Sequence, residues 1–240
     1  MRISVLLYLI IASSLLLIGN TSSYFKDIEK SYNNTFTAGS AYIANHLVIS
    51  EVQIKGDGDR DHDFIEIYNP TDSDIDLSNY KGGYVKLVKY TSEGTKCRIK
   101  SWQNEPSIVP SHGFYLWASS KDDNYPSKIG ADCSTKEYLA SDNAVALELS
   151  DGTVIDLVGW GASIVNETLS FPFNPQNNQS IERKALFSSD NTTMGYGEDK
   201  HLGNGHDTNN NFNDFILRDC SDPQNSSSSK EDPPWPPYGG

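Results

Sequence analysis

The sequence AVALELSDGTVIDLV, residues 144–158, decides the fold class of this chain. The pair Asp151-Gly152 stands between two apolar runs, which is typical of two antiparallel strands joined by a tight turn with positive φ at both central residues. Other short runs of this kind follow from His46 onward, and no segment beyond the N-terminus has the periodicity of a long amphipathic helix. The sequence therefore predicts an all-β protein, an antiparallel β-sandwich.

Eight runs of the chain are predicted strands. They are residues 47–54, 64–68, 75–77, 84–90, 113–118, 144–149, 154–158 and 180–184. The run 64–68 (FIEIY) does not alternate strictly, which indicates a strand buried on both faces. Residues 187–213 are rich in Asn, Asp, Gly and Thr, so we expect a long loop on the sandwich edge.

Several segments between residues 46 and 219 occur in the order seen in the lamin tail domain family. They include residues 63–71 (DFIEIYNPT), 74–80 (DIDLSNY), 139–147 (LASDNAVAL), 158–161 (VGWG) and 179–183 (QSIER). The chain resembles that family, and the resemblance implies an immunoglobulin-like β-sandwich used for binding and assembly rather than catalysis. The coiled-coil rod of nuclear lamins has no heptad counterpart here, so a filament role is not implied.

The N-terminus predicts export. Arg2, an apolar run over residues 3–18 and small polar residues up to Ser23 are typical of a signal peptide over residues 1–23. The alternative is a retained membrane anchor, although the run is shorter than the roughly 20 residues that span a bilayer. Residues 24–29 (YFKDIE) and 33–39 (NNTFTAG) resemble the segment that follows the signal in camelysin-like secreted proteins. This resemblance implies a prokaryotic protein that is secreted or held at the cell surface.

These features divide the chain into four parts. Residues 1–23 are the predicted signal peptide, 24–45 a linker, 46–222 the β-sandwich domain and 223–240 a tail rich in serine and proline. The tail composition provides little apolar area to offset the entropy lost on ordering, so disorder is expected there.

The acidic excess limits the partners of this protein. There are 32 acidic and 19 basic residues, for a formal net charge of -13, which disfavours nucleic acid because phosphate backbones require cationic surfaces. Two acidic loops offer oxygen ligands for a structural calcium ion, and a solvated turn is the alternative for each. The candidate ligands are Asp207, Asn209, Asn211 and Asp214 in one loop and Asp57, Asp59, Asp61 and Asp63 in the other.

Two further kinds of covalent site are predicted for an exported chain. Cys97 and Cys133 are the favoured disulfide pair, leaving Cys220 over, and three reduced thiols are the alternative. Five sequons are candidate glycosylation sites. They lie at Asn33, Asn166, Asn178, Asn191 and Asn225.

No motif in the sequence predicts catalysis. The five histidines are scattered and no known nucleophile or phosphate-loop pattern occurs, so we expect no enzyme, no catalytic residue and no cofactor-binding residue. The predicted function is a binding or assembly module of the cell surface or matrix, with an unknown protein or glycan partner. One alternative is a carbohydrate-binding module or adhesin that stacks sugars on Trp102, Trp117 and Trp160. A metal-dependent hydrolase is the last alternative, and membrane contact is expected only through an uncleaved N-terminus.

Overall fold

The computed structural model describes residues 42–57, 59–122 and 124–234. Twelve strands and three short helices form this part of the chain, and most strands are antiparallel. The architecture is a β-sandwich of the immunoglobulin-like type, which confirms the predicted fold class. The predicted signal peptide, and residues 24–41 of the predicted linker, lie outside the described residues.

One sheet of the sandwich has six strands. They are β1 (Val48–Gln53), β2 (Phe64–Tyr68), β7 (Phe114–Ser119), β8 (Cys133–Thr135), β11 (Ser180–Arg183) and β12 (Phe215–Arg218). Their order across the sheet is β12-β11-β1-β2-β7-β8. Only β8 runs parallel to its neighbour, while the other pairs are antiparallel. Strand β1 therefore lies between β2, the next strand along the chain, and β11, from its C-terminal part.

The second sheet has four strands, and two further strands form a separate pair. The four are β4 (Val85–Tyr90), β5 (Lys96–Ser101), β9 (Ala144–Leu149) and β10 (Val154–Gly159), in the order β10-β9-β4-β5. The separate pair consists of β3 (Ile75–Asp76) and β6 (Ile108–Val109). The helices are α1 (Tyr125–Ile129), α2 (Asn191–Tyr196) and α3 (Asn211–Asp214).

The core lies between the two sheets. Ile49 and Ile65 of the six-stranded sheet pack in one cluster with Leu87 and Leu147 of the four-stranded sheet. The three predicted sugar-stacking tryptophans belong to this cluster and are fully buried. Fully burying an aliphatic side chain stabilises a fold by about 1.5–3 kcal/mol, so this cluster is the main source of stability.

The six-stranded sheet is covered on both faces, as the irregular pattern of residues 64–68 predicts. The register shifts between Ile49 and Glu51, and this irregularity interrupts the simple alternation of β1. On the outer face, Phe64 and Leu116 pack against Tyr125 of α1. The outer face therefore provides a second, smaller layer of buried groups.

The turn between β9 and β10 differs from the prediction in detail. Gly152 has a φ of 94°, but Asp151 is not among the residues with positive φ. The amide of Gly152 donates to the carbonyl of Leu149, and the register shifts between Val154 and Asp156. These features are those of a hairpin whose left-handed glycine introduces a bulge, so two positive φ angles are not required.

Several strands and helices of the structure were not predicted from the sequence. Strand β5 (KCRIKS) is polar because it lies at a sheet edge, and β8 and β12 are too short for a clear period. The region 187–213, predicted to be a loop, contains α2, and α3 begins within it. Asp190 caps α2 by accepting hydrogen bonds from the amides of Thr192 and Thr193.

The predicted disorder of residues 223–240 is wrong for the part up to residue 234. The hydroxyl of Tyr68 donates to the carbonyl of Glu231 at 2.6 Å, and the amide of Gly203 donates to the carbonyl of Asp232 at 2.9 Å. Glu231 and the two prolines that follow Asp232 are buried. Residues 235–240 lie outside the described residues. Backbone hydrogen bonds, which composition does not reveal, order this segment.

The compact unit begins slightly earlier than residue 46. Residues from Tyr42 onward belong to it, and the amide of Ala44 donates to the carbonyl of Gly205 at 2.9 Å. Within the described ranges, no helix combines the length and the apolarity needed to cross a bilayer.

We expect the ordered part of the tail to contribute to stability. A chain that ends after Asp222 loses the contacts of Tyr68 and Glu66 with the tail, and its free energy of unfolding should fall by at least about 2 kcal/mol. Chemical denaturation measures this change. A chain that ends after Pro234 is the matched control and should unfold like the full chain. Equal midpoints for both truncations would contradict the packed tail.

Candidate functional site

The acidic run 57–63 does not converge on one point. Asp57 forms an ion pair with Lys128, and Asp61 lies 3.5 Å from the ammonium of Lys121. Asp63 is buried and accepts a hydrogen bond from the amide of Leu139 at 2.7 Å. Alternate residues of the run therefore face different neighbours, and the predicted four-carboxylate calcium site is not formed.

Only Asp59 of this run takes part in a cluster that could hold a cation. Ligand atoms of Asp59, His62 and Asp122 all lie within 4.8 Å of one another. His62 Nε2 lies 2.7 Å from Asp122 Oδ2, and this hydrogen bond lowers the pKa of Asp122. The imidazole also stacks on the ring of Tyr125. His62 therefore packs against Tyr125 and joins the loop after β1 to the loop after β7 through its hydrogen bond with Asp122.

The second predicted calcium loop, residues 207–214, is used for internal hydrogen bonds. Asp214 accepts from the amides of Thr208 and Asn210 and from the hydroxyl of Thr208. Asn211 accepts from the amides of Gly159 and Glu167. Asn209 is exposed, with a φ of 54°. Asp214 and Asn211 thus satisfy backbone donors, and the four groups do not form one set of ligands.

Asp207 belongs to a buried ionic network centred on Arg183. The guanidinium donates to both carboxylate oxygens of Asp156 at 2.9 Å, to the carbonyl of Ile49 and to the carbonyl of His206. Asp207 lies 3.3 Å from the same guanidinium. Arg183 and Asp156 are fully buried and lie on different sheets. The pair joins the two layers of the sandwich.

Arg183 also accounts for a second group of possible metal ligands. Atoms of Asp156, Glu167 and Asp207 lie within 4.8 Å of one another. The guanidinium of Arg183 already pairs with two of these carboxylates, so it balances their charge in the place that a metal ion would take. Burial raises the pKa of Glu167 to about 8, which leaves that carboxyl mainly protonated near neutral pH. The chemistry of this cluster is that of a structural ion pair.

A row of carboxyl groups, two buried and one half-buried, crosses the outer face of the six-stranded sheet. Glu51 of β1 lies opposite Glu66 of β2 and opposite Glu182 of β11. Desolvation and the neighbouring carboxyls raise the pKa of all three, to about 8 for Glu51 and about 7 for Glu182. The tail covers this row, because the amides of Asp222 and Gln224 donate to Glu51 and Glu66.

The cysteines and sequons give no assembled site. Cys97, Cys133 and Cys220 are free thiols in this structure, so the predicted pair Cys97–Cys133 is not formed. Burial raises the pKa of Cys133 to about 12, which disfavours the reactive thiolate.

The sequons differ in how available their amides are. Asn166 and Asn225 already donate side-chain hydrogen bonds to backbone carbonyls. Asn178 and Asn191 are exposed. Asn33 lies outside the described residues. Glycosylation of these positions stays a prediction, which the mass of the mature protein would test.

The positions of the three tryptophans do not support the alternative in which sugars stack on them. Trp102, Trp117 and Trp160 are fully buried, and their indole nitrogens donate to Tyr115, Thr135 and Ala140 respectively. A sugar ring requires an exposed aromatic face, so these residues are core residues.

One loop exposes large apolar side chains. We call Ile164, Leu169, Phe173 and Phe212 the loop surface; each is more than half exposed. The first three lie between β10 and β11, and the amide of Phe212 in α3 donates to the carbonyl of Leu169 at 3.1 Å. Asn211, a predicted calcium ligand, holds this loop through Gly159 and Glu167. The amino-acid composition of the loop between β10 and β11 did not predict this surface.

A pocket of about 400 Å³ opens at the end of the sandwich and was also missed from the sequence. Its lining includes three cations, Lys55, Arg60 and Lys121, together with Tyr138. Lys55 and Arg60 lie in one loop, but Lys121 is distant in sequence and is brought to them only by the fold. Positive charge gathered in a chain of net charge -13 indicates a place where an anionic group is favoured.

The described residues contain no assembled nucleophile and base. No serine, threonine or cysteine side chain in this part of the chain is hydrogen-bonded to a histidine, whose described partners are carboxylates and one carbonyl. The fold and the packing of its ionisable groups define the class of immunoglobulin-like β-sandwich domains in which charged side chains serve structure.

The comparison with protein families agrees with this class. The family model described as Lamin Tail Domain matches residues 40–162, about half of the chain, and the protein belongs to that family. The family is one of non-enzymatic immunoglobulin-like domains. No curated protein matches the chain significantly.

We expect the buried ion pair to be essential for folding. Substitution Arg183→Met leaves Asp156 buried without its partner and should lower the free energy of unfolding by about 3–5 kcal/mol. Denaturant titration measures the loss. The double variant Arg183→Met/Asp156→Asn keeps an acceptor for the amide of Ile49 and should recover at least about 1 kcal/mol. Lys128→Met, which removes an exposed pair, is the control, and a loss as large as that of Arg183→Met would contradict the buried network.

We also expect stability to fall as pH rises. A carboxyl whose folded pKa is about 8 and whose unfolded pKa is 4.5 gives the folded state more bound protons between these values. Stabilisation is therefore complete below pH 4.5 and is lost towards pH 8. Glu51→Gln should reduce the stability lost between pH 5 and 8.5 by roughly 2 kcal/mol. The exposed control Glu198→Gln should follow the wild-type profile, and equal profiles for all three proteins would exclude this role of Glu51.

Proposed function

We propose that this protein is a non-catalytic binding or assembly module of the cell surface or extracellular matrix. The observation that carries the proposal is the loop surface, where three of four exposed large apolar side chains come from one loop and the fourth, Phe212, is hydrogen-bonded to that loop through its amide. Exposed apolar groups that lie together, as Leu169 and Phe212 do, commonly mark contacts with a partner protein. The proposed partner is a protein of the envelope or matrix that covers Leu169 and Phe212.

The anchoring of the loop supports its use in recognition. Besides Asn211, the carboxylate of Asp142 accepts from the amide of Ala162 and from the side chain of Asn174. Gly161 takes a φ of 62° where a side chain would collide with these two residues. A loop held in one conformation loses little entropy on binding, which favours affinity. The loop is therefore suited to present its apolar side chains to a partner.

Two further features support a role without catalysis outside the cytoplasm. The ionisable groups brought together by the fold, such as Arg183 and Asp156, are bound to one another. The N-terminal run of residues 3–18 and the camelysin-like segment support export from a prokaryotic cell. Together with family membership, they favour a surface or matrix module.

The test is site-specific photo-crosslinking in the native cell. A photoreactive side chain at position 169 should form an adduct that is recovered with the envelope or matrix fraction. The matched control is position 154, because Val154 is about as exposed as Leu169 and lies at the other end of β10. The variant Phe212→Ser should reduce the adduct at 169 at least fivefold, since Phe212 neighbours Leu169.

Each outcome bears on the proposal. An adduct at 169 with a protein of the envelope supports binding, and one with a second copy of the chain supports assembly. Equal adducts at 169 and 154, no adduct at 169, or recovery of the protein only from the cytoplasm would contradict it.

A further inference from the structure

The cation-lined pocket has a composition that the loop surface does not explain. Lys55 and Arg60 extend from the loop after β1, and Lys121 follows β7. Among the residues that the structure describes, neither Lys55 nor Arg60 has a carboxylate within ion-pair distance, and Lys121 has Asp61 at 3.5 Å. Three cations face one carboxylate, so the described lining has a formal charge of +2.

Two acidic groups close to the pocket, Asp63 and Glu137, do not cancel this charge. Asp63 lies under Leu139, a lining residue, and desolvation raises the pKa of Asp63 to about 8, so this carboxyl is mainly neutral near pH 7. Lys89 lies 2.9 Å from Glu137, which balances that pair. The lining therefore keeps its formal excess of positive charge.

The pocket also has apolar and aromatic walls. Ile54 and Leu139 of the lining are buried, so the accessible surface beside the cations comes from Tyr138, which is 45% exposed, and from the exposed residues Ala140, Ser141 and Gln176. The ammonium groups of Lys121 and Lys89 lie 3.7 and 4.3 Å from the centre of the Tyr138 ring, which positions these groups. A bare inorganic anion would use only the cations. A ligand with an anionic group and a C–H-rich ring would use the cations and these walls together.

We propose that this pocket binds an acidic oligosaccharide, with one uronic-acid carboxylate held between Lys55, Arg60 and Lys121. The guanidinium of Arg60 suits a carboxylate because it can donate two parallel hydrogen bonds. The volume of about 400 Å³ is in the range of small-ligand sites. The pocket opens at the surface, so the rest of a saccharide chain can continue into solvent.

An acidic peptide is the weaker candidate. Extended peptides commonly bind by adding a strand to an exposed sheet edge. The cationic walls come from residues that follow β1 and β7, rather than from a row of free backbone groups on an edge strand. The pocket therefore favours a ligand recognised by its side groups and rings.

The experiment is isothermal titration calorimetry on the mature chain with four probes. Trigalacturonate is expected to bind, whereas trigalactose, inorganic phosphate and a short glutamate peptide should bind at least tenfold more weakly. The double variant Arg60→Gln/Lys121→Gln should weaken trigalacturonate binding at least tenfold, and binding should weaken as salt is raised. Lys81→Gln, an exposed cation outside the pocket, is the matched control and should bind like the wild type. Unchanged thermal midpoints show that the variants are folded.

The alternative results overturn the proposal. Equal binding of phosphate and trigalacturonate would leave a general anion site, and tighter binding of the glutamate peptide would make the ligand a protein. Absence of trigalacturonate binding would exclude this ligand. Binding unaffected by Arg60→Gln/Lys121→Gln would show that it binds outside the pocket. Phe212→Ser should retain trigalacturonate binding because the loop surface is separate from the pocket lining, so failure of the crosslinking test and failure of this one are distinguishable.

Discussion

The ion pair between Arg183 and Asp156 connects the two sheets, and the surrounding structure is arranged to satisfy it. Asp156 accepts from the amide of Ile49, and Arg183 donates to the carbonyls of Ile49 and His206. These contacts fix the relative position of β1, β10 and β11 inside an apolar core. A hydrophobic contact at the same place would tolerate sliding of one sheet over the other, whereas this pair requires one registration.

The same registration positions the surfaces that bear on function. Strand β10 leads directly into the loop that carries Leu169, and Asn211 joins that loop to the segment preceding β12. The pocket lies where the loops after β1 and β7 meet, so its cations follow the two strands that flank β2 in the six-stranded sheet. The same sandwich thus supports both the loop surface, which offers apolar contacts, and the pocket, which offers cationic ones.

Much of the fold could be predicted from the sequence, whereas little of the candidate sites could. The apolar runs of β9 and β10 on either side of Asp151-Gly152 are visible in the sequence, and the ordered segments of the lamin tail family indicate the same sandwich. The acidic runs were interpreted as ligand sets because neighbouring carboxylates repel. Their actual partners, such as Lys128 for Asp57, lie far away in sequence and become visible only after folding. The pocket was missed for the same reason, since no local pattern connects Arg60 with Lys121.

The covered row of Glu51, Glu66 and Glu182 has a consequence for the order in which the chain can fold. These carboxyls belong to strands that the chain provides at its start and near its end, and their cover is the last ordered segment. Until that segment arrives, the carboxyls remain hydrated and ionised, and their mutual repulsion opposes pairing of β1 with β2 and β11. A chain that lacks this segment therefore forms this part of the sheet less stably, and its strand pairing is complete only after the C-terminal segment has covered the carboxyls.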